Sequence, residues 1–215
     1  MPTVDIKAVI YDFDGVIVDS REANAAYYNR LLRHFGLPPV QPEQMEVIQT
    51  RTSQEVIAFL FADPTLAEAA RTMEPKLDNN GIIPMIRLEP YVRETLDALK
   101  NRYRTAIATN RGKSLPLVLQ FHDLEQYFDL TVSSAQVQHP KPHPEYLEII
   151  LQSFSLTPNQ ALYIGDAAVD VRLAAAAGVS FVAYKNPNLP ALAHLNDHRD
   201  IWSIIGRWLQ KKQVR

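Results

Sequence analysis

Three aspartates that follow short apolar runs are the clearest candidates for chemistry in this sequence. Asp12 and Asp14 stand two residues apart after the first run, and Asp166 follows a later one. Carboxylate oxygens are the ligands that a hard cation such as Mg²⁺ prefers, and a carboxylate can also act as a nucleophile. Because the chain contains no cysteine, thiolate metal sites, cysteine nucleophiles and disulfides are excluded. The aspartates therefore predict a magnesium site.

A threonine and a lysine follow two further runs and could bind an anion. Thr109 ends one run, and Lys141 stands between two prolines in the loop after the next. A lysine opposite Mg²⁺, with a carboxylate between them, is typical of phosphoryl transfer. Thr109 could instead be an ordinary β-branched strand end, and Lys141 a solvated loop residue. His139 and His143 flank Lys141 and could suggest zinc, but no third or fourth ligand stands at zinc spacing.

The apolar runs have the length and residue types of buried β-strands, and they alternate with helical segments. This alternation is typical of an α/β fold with a doubly wound, mainly parallel sheet. Ligands bind such a sheet beyond the carboxyl ends of its strands, so the polar groups are expected at one edge. Strands are predicted over residues 4–11, 104–109, 128–134, 161–165 and 180–184, and helices over 90–100, 114–121, 144–154 and 168–177.

Residues 19–84 interrupt this alternation with helical sequence and no predicted strand up to residue 80. Ser53 is the expected cap of one helix there, and the flexible joints are expected at residues 79–81 and near Val18. The predicted helical stretches are 22–35 and 43–80. We therefore divide the chain into a catalytic α/β core, residues 1–18 and 85–215, and an inserted helical cap, residues 19–84.

The composition is that of an ordinary globular protein, with 215 residues, 47% hydrophobic and 21% charged. The net charge of −2 offers no field for holding a polyanion, so nucleic acid is not an expected partner. The longest uncharged apolar stretch, residues 173–184, is too short to span a membrane. With no signal peptide in the opening sequence, we expect a cytoplasmic protein. It could be a monomer or a homodimer.

The polar groups resemble the four motifs of the haloacid dehalogenase-like hydrolases, in the family's order. The resemblance covers the whole chain, since the insert matches the family's helical cap. It is closest to the branch of the phosphoglycolate phosphatases and β-phosphoglucomutases, and it implies a Mg²⁺-dependent phosphatase acting on a small phosphorylated metabolite. The matching sequences are Asp12-Phe13-Asp14-Gly15-Val16, Thr109-Asn110, Lys141-Pro142 and Gly165-Asp166-Ala167-Ala168-Val169-Asp170.

The resemblance assigns roles to the aspartates of the first and fourth motifs. Asp12 would attack the phosphorus and form an aspartyl-phosphate. Asp14 would protonate the leaving alcohol and later deprotonate the attacking water. Mg²⁺ would be held by the Asp12 carboxylate, the Asp14 backbone carbonyl and the Asp166 carboxylate. Asp166 could also cap the helix that follows it.

The resemblance also implies which residues bind the phosphoryl group. These are Thr109, the Asn110 amide and Lys141, which would neutralise its charge as the nucleophile approaches. Asp170 would sit behind them and orient Lys141 or a water molecule on the metal. Asp170 could instead lie on an exposed helix surface.

The cap is expected to select the substrate. Arg51, at a predicted break between cap helices, and Arg111, after the second motif, could each hold an acidic group of an anionic substrate. A solvated Arg51 is the alternative. Asn24 stands where β-phosphoglucomutases carry a histidine, which favours a phosphatase over a phosphosugar mutase. A catalytically inactive scaffold that binds a partner protein is a third hypothesis.

Overall fold

The centre of the molecule is a parallel β-sheet, seen in a computed structural model that describes residues 5–76 and 81–211. The strands are β1 (Ala8–Tyr11), β2 (Val18–Asp19), β3 (Arg87–Leu88), β4 (Arg104–Thr109), β5 (Leu130–Ser133), β6 (Ala161–Gly165), β7 (Ser180–Tyr184) and β8 (Ala193–Leu195). The main sheet has the order β5-β4-β1-β6-β7-β8, and each pair of neighbours is parallel. The chain therefore winds outward in both directions from β1.

Helices cover both faces of this sheet. The helices are α1 (Arg21–His34), α2 (Met45–Thr50), α3 (Ser53–Leu60), α4 (Pro64–Met73), α5 (Val92–Leu99), α6 (Leu115–Phe121), α7 (Glu145–Phe154), α8 (Ala168–Ala177) and α9 (Ile201–Lys211). Side chains along each strand alternate between two buried clusters: in β4, Ile107 packs with α5, α6 and α9, whereas Ala106 and Ala108 pack with α7 and α8. The predicted doubly wound α/β class is confirmed.

The helices α1 to α4 form a separate layer with a hydrophobic core of its own, built on residues such as Leu31, Val56 and Ala70. The chain enters this layer through β2 and leaves it through β3, and the two strands pair antiparallel, Val18 opposite Leu88. The expected joint near Val18 thus lies in a two-stranded ribbon, whereas Asn79 and Asn80 lie outside the described residues. Across the described ranges, no helix is long and apolar enough to cross a membrane.

Several local expectations need correction. The cap of α3 is Thr52 and not Ser53: the Thr52 hydroxyl accepts from the Glu55 N–H, and the Glu55 carboxylate accepts from the Thr52 N–H. Asp166 does not cap α8, which begins after Ala167, whose N–H donates to Asp170. The first strand begins at Ala8, later than predicted. The sequence interpretation did not include β2, β3, β8 or α9.

Candidate active site

The carboxyl ends of three adjacent strands bring the candidate residues to one edge of the sheet. Asp12 directly follows β1, Thr109 ends β4, and Asp166 directly follows β6. β1 lies between β4 and β6, and the Asp12 N–H donates to the Ile164 carbonyl at 2.8 Å. The chain winds away from β1 in opposite directions, which opens the crevice where doubly wound folds bind ligands.

Lys141 also reaches this edge. Its loop follows β5, the outermost strand on one side of the sheet, but its side chain extends to the residues at the end of β1. Its ammonium group lies 2.7 Å from an Asp12 carboxylate oxygen and 2.9 Å from one of Asp170. It also donates to the Tyr163 hydroxyl at 2.7 Å, and that hydroxyl donates to Asp170 at 2.7 Å. Only 2% of the Lys141 side chain is exposed. The lysine therefore has three acceptors and one fixed position.

Negative charge exceeds positive charge around Lys141. Burial raises the pKa of Asp12 well above its ordinary value, with Lys141 opposing the rise and Asp170 adding to it. Burial, with the charge of Asp170, raises the pKa of Asp166 to about 7. Burial alone would lower the pKa of Lys141, but Asp12 and Asp170 raise it overall. The lysine stays charged, and a further cation beside Asp12 and Asp166 would favour their ionised forms.

The same carboxylates have the chemistry of a hard-cation site. Ligand oxygens of Asp12, Asp166 and Asp170 all lie within 4.8 Å of one another. An all-oxygen set with excess negative charge fits Mg²⁺ and does not fit a soft metal. Asp170, which the sequence interpretation placed behind the phosphate-binding residues, belongs to this cluster by distance. Its side chain is fully buried and bonded to Lys141, so the alternative of an exposed helix position is wrong.

Gly15 lets the first motif approach Asp166. Its φ of +81° is a conformation that L side chains rarely adopt, and a β-carbon there would collide with the Asp166 carboxylate. The turn after β1 therefore requires glycine for two reasons: the positive φ angle, and the lack of a β-carbon where the Asp166 carboxylate lies. This explains how the first and fourth motifs come into contact.

The Asn110 side chain joins the two layers of the molecule. Its oxygen accepts from the Lys141 N–H at 3.2 Å and from the Tyr146 hydroxyl at 2.8 Å. Its nitrogen donates to the backbone carbonyl of Thr50, in the cap, at 2.8 Å. Thr109, which precedes it, is 1% exposed, and its hydroxyl accepts from the Arg111 N–H at 3.0 Å. Asn110 thus fixes the Lys141 loop and the cap relative to β4.

Asp14, Arg111 and Asn24 meet on the other side of this edge. The Arg111 guanidinium donates to both carboxylate oxygens of Asp14, at 2.5 Å from Nη2 and 2.9 Å from Nε. The same Nη2 donates to the Asn24 side-chain oxygen at 3.0 Å. Arg111, expected to hold an acidic group of the substrate, therefore contacts Asp14 here, and Asn24 contacts Arg111.

Arg51 lies in a different part of the cap–core junction. It is exposed and lines a cleft of about 350 Å³ together with Thr50, Lys141 and Ala168. The cleft reaches from α2 to the loop that carries Lys141. The role of Arg51 in holding an acidic group of the substrate stays a prediction.

The two histidines beside Lys141 have a third partner, which corrects the expectation from sequence spacing. His139, His143 and Glu145 place ligand atoms within 4.8 Å of one another. The Glu145 carboxylate also accepts from the backbone N–H groups of Gln138 and His139, at 2.8 and 2.9 Å. The carboxylate thus supports the loop before α7.

Sequence reasoning missed three polar side chains of this edge. Tyr163 and Tyr146 had no distinguishing signal, since a tyrosine within an apolar run is as typical of the core as of a site. Ser20, whose hydroxyl donates to Asp14 at 2.5 Å, stands at the start of α1, where serine is common for local reasons. The sequence feature that could have indicated Ser20 is its position six residues after Asp14, close to the first motif.

Comparison with known proteins places this geometry in a family. Residues 9–184 match the family model of the haloacid dehalogenase-like hydrolases. The chain belongs to this family. The phosphoglycolate phosphatase of Aliivibrio fischeri is 30% identical over 185 residues, which cover 81% of this chain and 82% of that protein.

Solved structures agree with the assignment to the haloacid dehalogenase-like hydrolases. A HAD-superfamily hydrolase, subfamily IA, variant 1, from Geobacter sulfurreducens is 42% identical, with a TM-score of 0.77 over 94% of this chain and 97% of that one. A β-phosphoglucomutase from Clostridium difficile has a TM-score of 0.84 over 98% of this chain and 100% of that one, at 18% identity, and shares the fold. The resemblance inferred from the four motifs is confirmed, and the protein is a hydrolase.

Proposed function

We propose that this hydrolase cleaves a small, anionic phosphomonoester through an aspartyl-phosphate on Asp12, with Mg²⁺ as cofactor. The observation that carries the proposal is the buried Lys141, which contacts Asp12 at the carboxyl edge of the sheet. A lysine fixed beside a carboxylate provides the positive charge that lets a phosphoryl group approach an anionic nucleophile. The similarity to a phosphoglycolate phosphatase supports the same substrate class.

In the first half-reaction, an Asp12 carboxylate oxygen attacks phosphorus and the ester O–P bond breaks. The alcohol oxygen leaves with a proton from Asp14, acting as general acid. Lys141, Thr109 and Asn110 hold the transferring group in line with Asp12. Asp170 and Tyr163 keep Lys141 in place, since both contact its ammonium group.

In the second half-reaction, a water molecule attacks phosphorus of the aspartyl-phosphate. Asp14 takes the proton of this water, the Asp12–phosphorus bond breaks, and phosphate leaves with the Asp12 carboxylate restored. Mg²⁺, held by Asp12, Asp166 and the Asp14 backbone carbonyl, would neutralise charge on the phosphoryl oxygens. The distance supports two of these three ligands, since carboxylate oxygens of Asp12 and Asp166 lie within 4.8 Å of each other.

The direct test is hydrolysis of p-nitrophenyl phosphate and 2-phosphoglycolate with and without Mg²⁺. We expect turnover that disappears with EDTA and returns with Mg²⁺, and acid quenching that traps phosphate on the protein. A protein that hydrolyses neither ester, nor other members of a broad panel of phosphorylated metabolites, would contradict the proposal and favour a partner-binding scaffold.

The raised pKa of Asp166 predicts a pH-dependent stability in the absence of metal. In the unfolded chain this carboxyl titrates near 3.8, and in the folded protein at about 7. Between these values the folded state binds more protons, so the free energy of unfolding should fall as pH rises from about 4 to about 7. Thermal melts in EDTA across this range should show a shallower fall for Asp166→Asn than for the wild type.

Magnesium should reverse this trend, because binding requires the ionised carboxylate. The increase in melting temperature on adding Mg²⁺ is expected to be larger at pH 8 than at pH 6, and to be lost in Asp166→Asn. The matched control is Asp97→Asn, which removes an exposed aspartate of α5. An equal Mg²⁺ effect at both pH values would contradict the assignment of Asp166 as a ligand.

A further inference from the structure

Asp14 forms a buried ion pair that the mechanism above does not use. Both of its carboxylate oxygens accept hydrogen bonds from Arg111, and one also accepts from the Ser20 hydroxyl at 2.5 Å. Each side chain of the pair is only 9% exposed. A guanidinium that bonds both oxygens fixes the orientation of a carboxylate, so Asp14 must turn away from Arg111 before it can serve the ester oxygen of a substrate. In this arrangement the proposed acid–base group is withheld.

The ion pair lies where the cap meets the core. Besides Asp14, Arg111 donates to the Asn24 side-chain oxygen at 3.0 Å and to the Ser114 hydroxyl at 3.1 Å. Asn24 lies in the first cap helix, and Ser20 directly precedes it. Arg111 therefore contacts the first motif and the cap together, so a ligand that binds Arg111 would also affect the position of Asp14.

Gln49, from the second cap helix, shows independently that an acceptor is missing at this junction. Its side-chain oxygen lies 3.4 Å from both Ser20 Oγ and Asn24 Nδ2. Its side-chain nitrogen is buried and has no hydrogen-bond partner in the described part of the chain. Buried donors without partners are rare, and a ligand oxygen between Gln49 and Arg111 would satisfy this one.

We propose that Arg111 is a positioning residue that also determines specificity: it holds Asp14 until a second acidic group of the substrate takes its place at the guanidinium. Asp14 is then free to turn toward the ester oxygen. The preferred substrates are phosphomonoesters that carry a carboxylate, or another acidic group, a short distance from the phosphate. This inference rests on the proposed function, because it takes Asp14 as the acid–base group.

The main test compares two esters of similar size, 2-phosphoglycolate and 2-hydroxyethyl phosphate, which has a neutral hydroxyl group in place of the carboxylate. For the wild type, kcat should be about 10²-fold higher with phosphoglycolate, within the range that one acid–base group contributes. In Arg111→Gln, Asp14 is free with either ester, so kcat with the hydroxyethyl ester should rise toward the phosphoglycolate value and the preference should largely disappear. Arg87→Gln, which removes a 77% exposed arginine, is the control and should keep the wild-type ratio.

A second measurement uses only the wild type and does not depend on the variant folding. Acetate should occupy Arg111 in place of the substrate's carboxylate and increase kcat with 2-hydroxyethyl phosphate several-fold, in a saturable way. Chloride at the same ionic strength should have no such effect. Absence of this activation would overturn the inference.

Two other results would also overturn it. If Arg111→Gln raises KM for phosphoglycolate and leaves kcat with 2-hydroxyethyl phosphate unchanged, Arg111 only binds substrate. If the variant lowers kcat for both esters by the same factor, Arg111 only supports the fold. A wild-type protein that hydrolyses neither ester but hydrolyses other phosphomonoesters with Mg²⁺ would overturn this inference alone. A protein that hydrolyses no member of the panel would overturn the proposed function, and this inference with it.

Discussion

Replacing Asp12 with asparagine is expected to reduce kcat for phosphomonoester hydrolysis by at least about 10⁴-fold, the scale found when a covalent nucleophile is removed. The amide has nearly the same shape and keeps one oxygen, but it cannot form the aspartyl-phosphate. Asp12 is 9% exposed and lies 2.7 Å from Lys141, so the substitution changes the charge of the site with little change in packing. The measurement is phosphate release from p-nitrophenyl phosphate with Mg²⁺.

The control for this experiment is again Asp97→Asn, which should keep wild-type kcat. Circular dichroism melts of both variants establish that they are folded. If Asp12→Asn retains more than about 1% of wild-type kcat, the nucleophile lies elsewhere, since the loss of a covalent nucleophile lowers kcat by far more than about 100-fold.

Replacing Lys141 with methionine is expected to have the largest effect on stability as well as on activity. Methionine fills a similar volume, but it leaves the buried carboxylates of Asp12 and Asp170 without their cation. Removing one partner of a buried ion pair costs about 3–5 kcal/mol. For a chain of this size that lowers the melting temperature by roughly 6–20 °C, measured in EDTA.

Two further variants test the cause of this loss. Lys7→Met removes an exposed lysine and should change the melting temperature little. The double variant Lys141→Met, Asp170→Asn should recover part of the lost stability, because one of the facing carboxylates becomes neutral, while activity stays absent. A melting temperature unchanged by Lys141→Met would show that the carboxylates do not need the lysine's charge.

The central strands could be predicted because they are short, mostly buried runs with clear ends. The bounds 104–109 and 161–165 agree with β4 and β6: β6 is buried throughout, and β4 is buried from Thr105 to Thr109. The short pair β2 and β3 escaped prediction, since two-residue strands are too short to have a periodicity. β8, with the sequence Ala-His-Leu, likewise lacks an apolar run.

The site was predictable in part for a topological reason. The ends of parallel strands meet at one edge, so Asp12, Thr109 and Asp166 had to lie near one another once the sheet was identified. The partner of Arg111 could not be predicted, because a long side chain can reach many positions and the fold decides which buried acceptor lies within its reach. Only the fold shows that this acceptor is Asp14, 97 residues away in sequence.

The hydrogen bond from Asn110 to the cap has a consequence for how such a protein can diversify. Its acceptor is the main-chain carbonyl of Thr50, which every amino acid provides, so the bond places no requirement on the residue type at that position. Mutations can alter the side chains of α2 while this main-chain attachment persists. The layer of α1 to α4 can then change in sequence without rebuilding the edge of the sheet that carries Asp12 and Lys141.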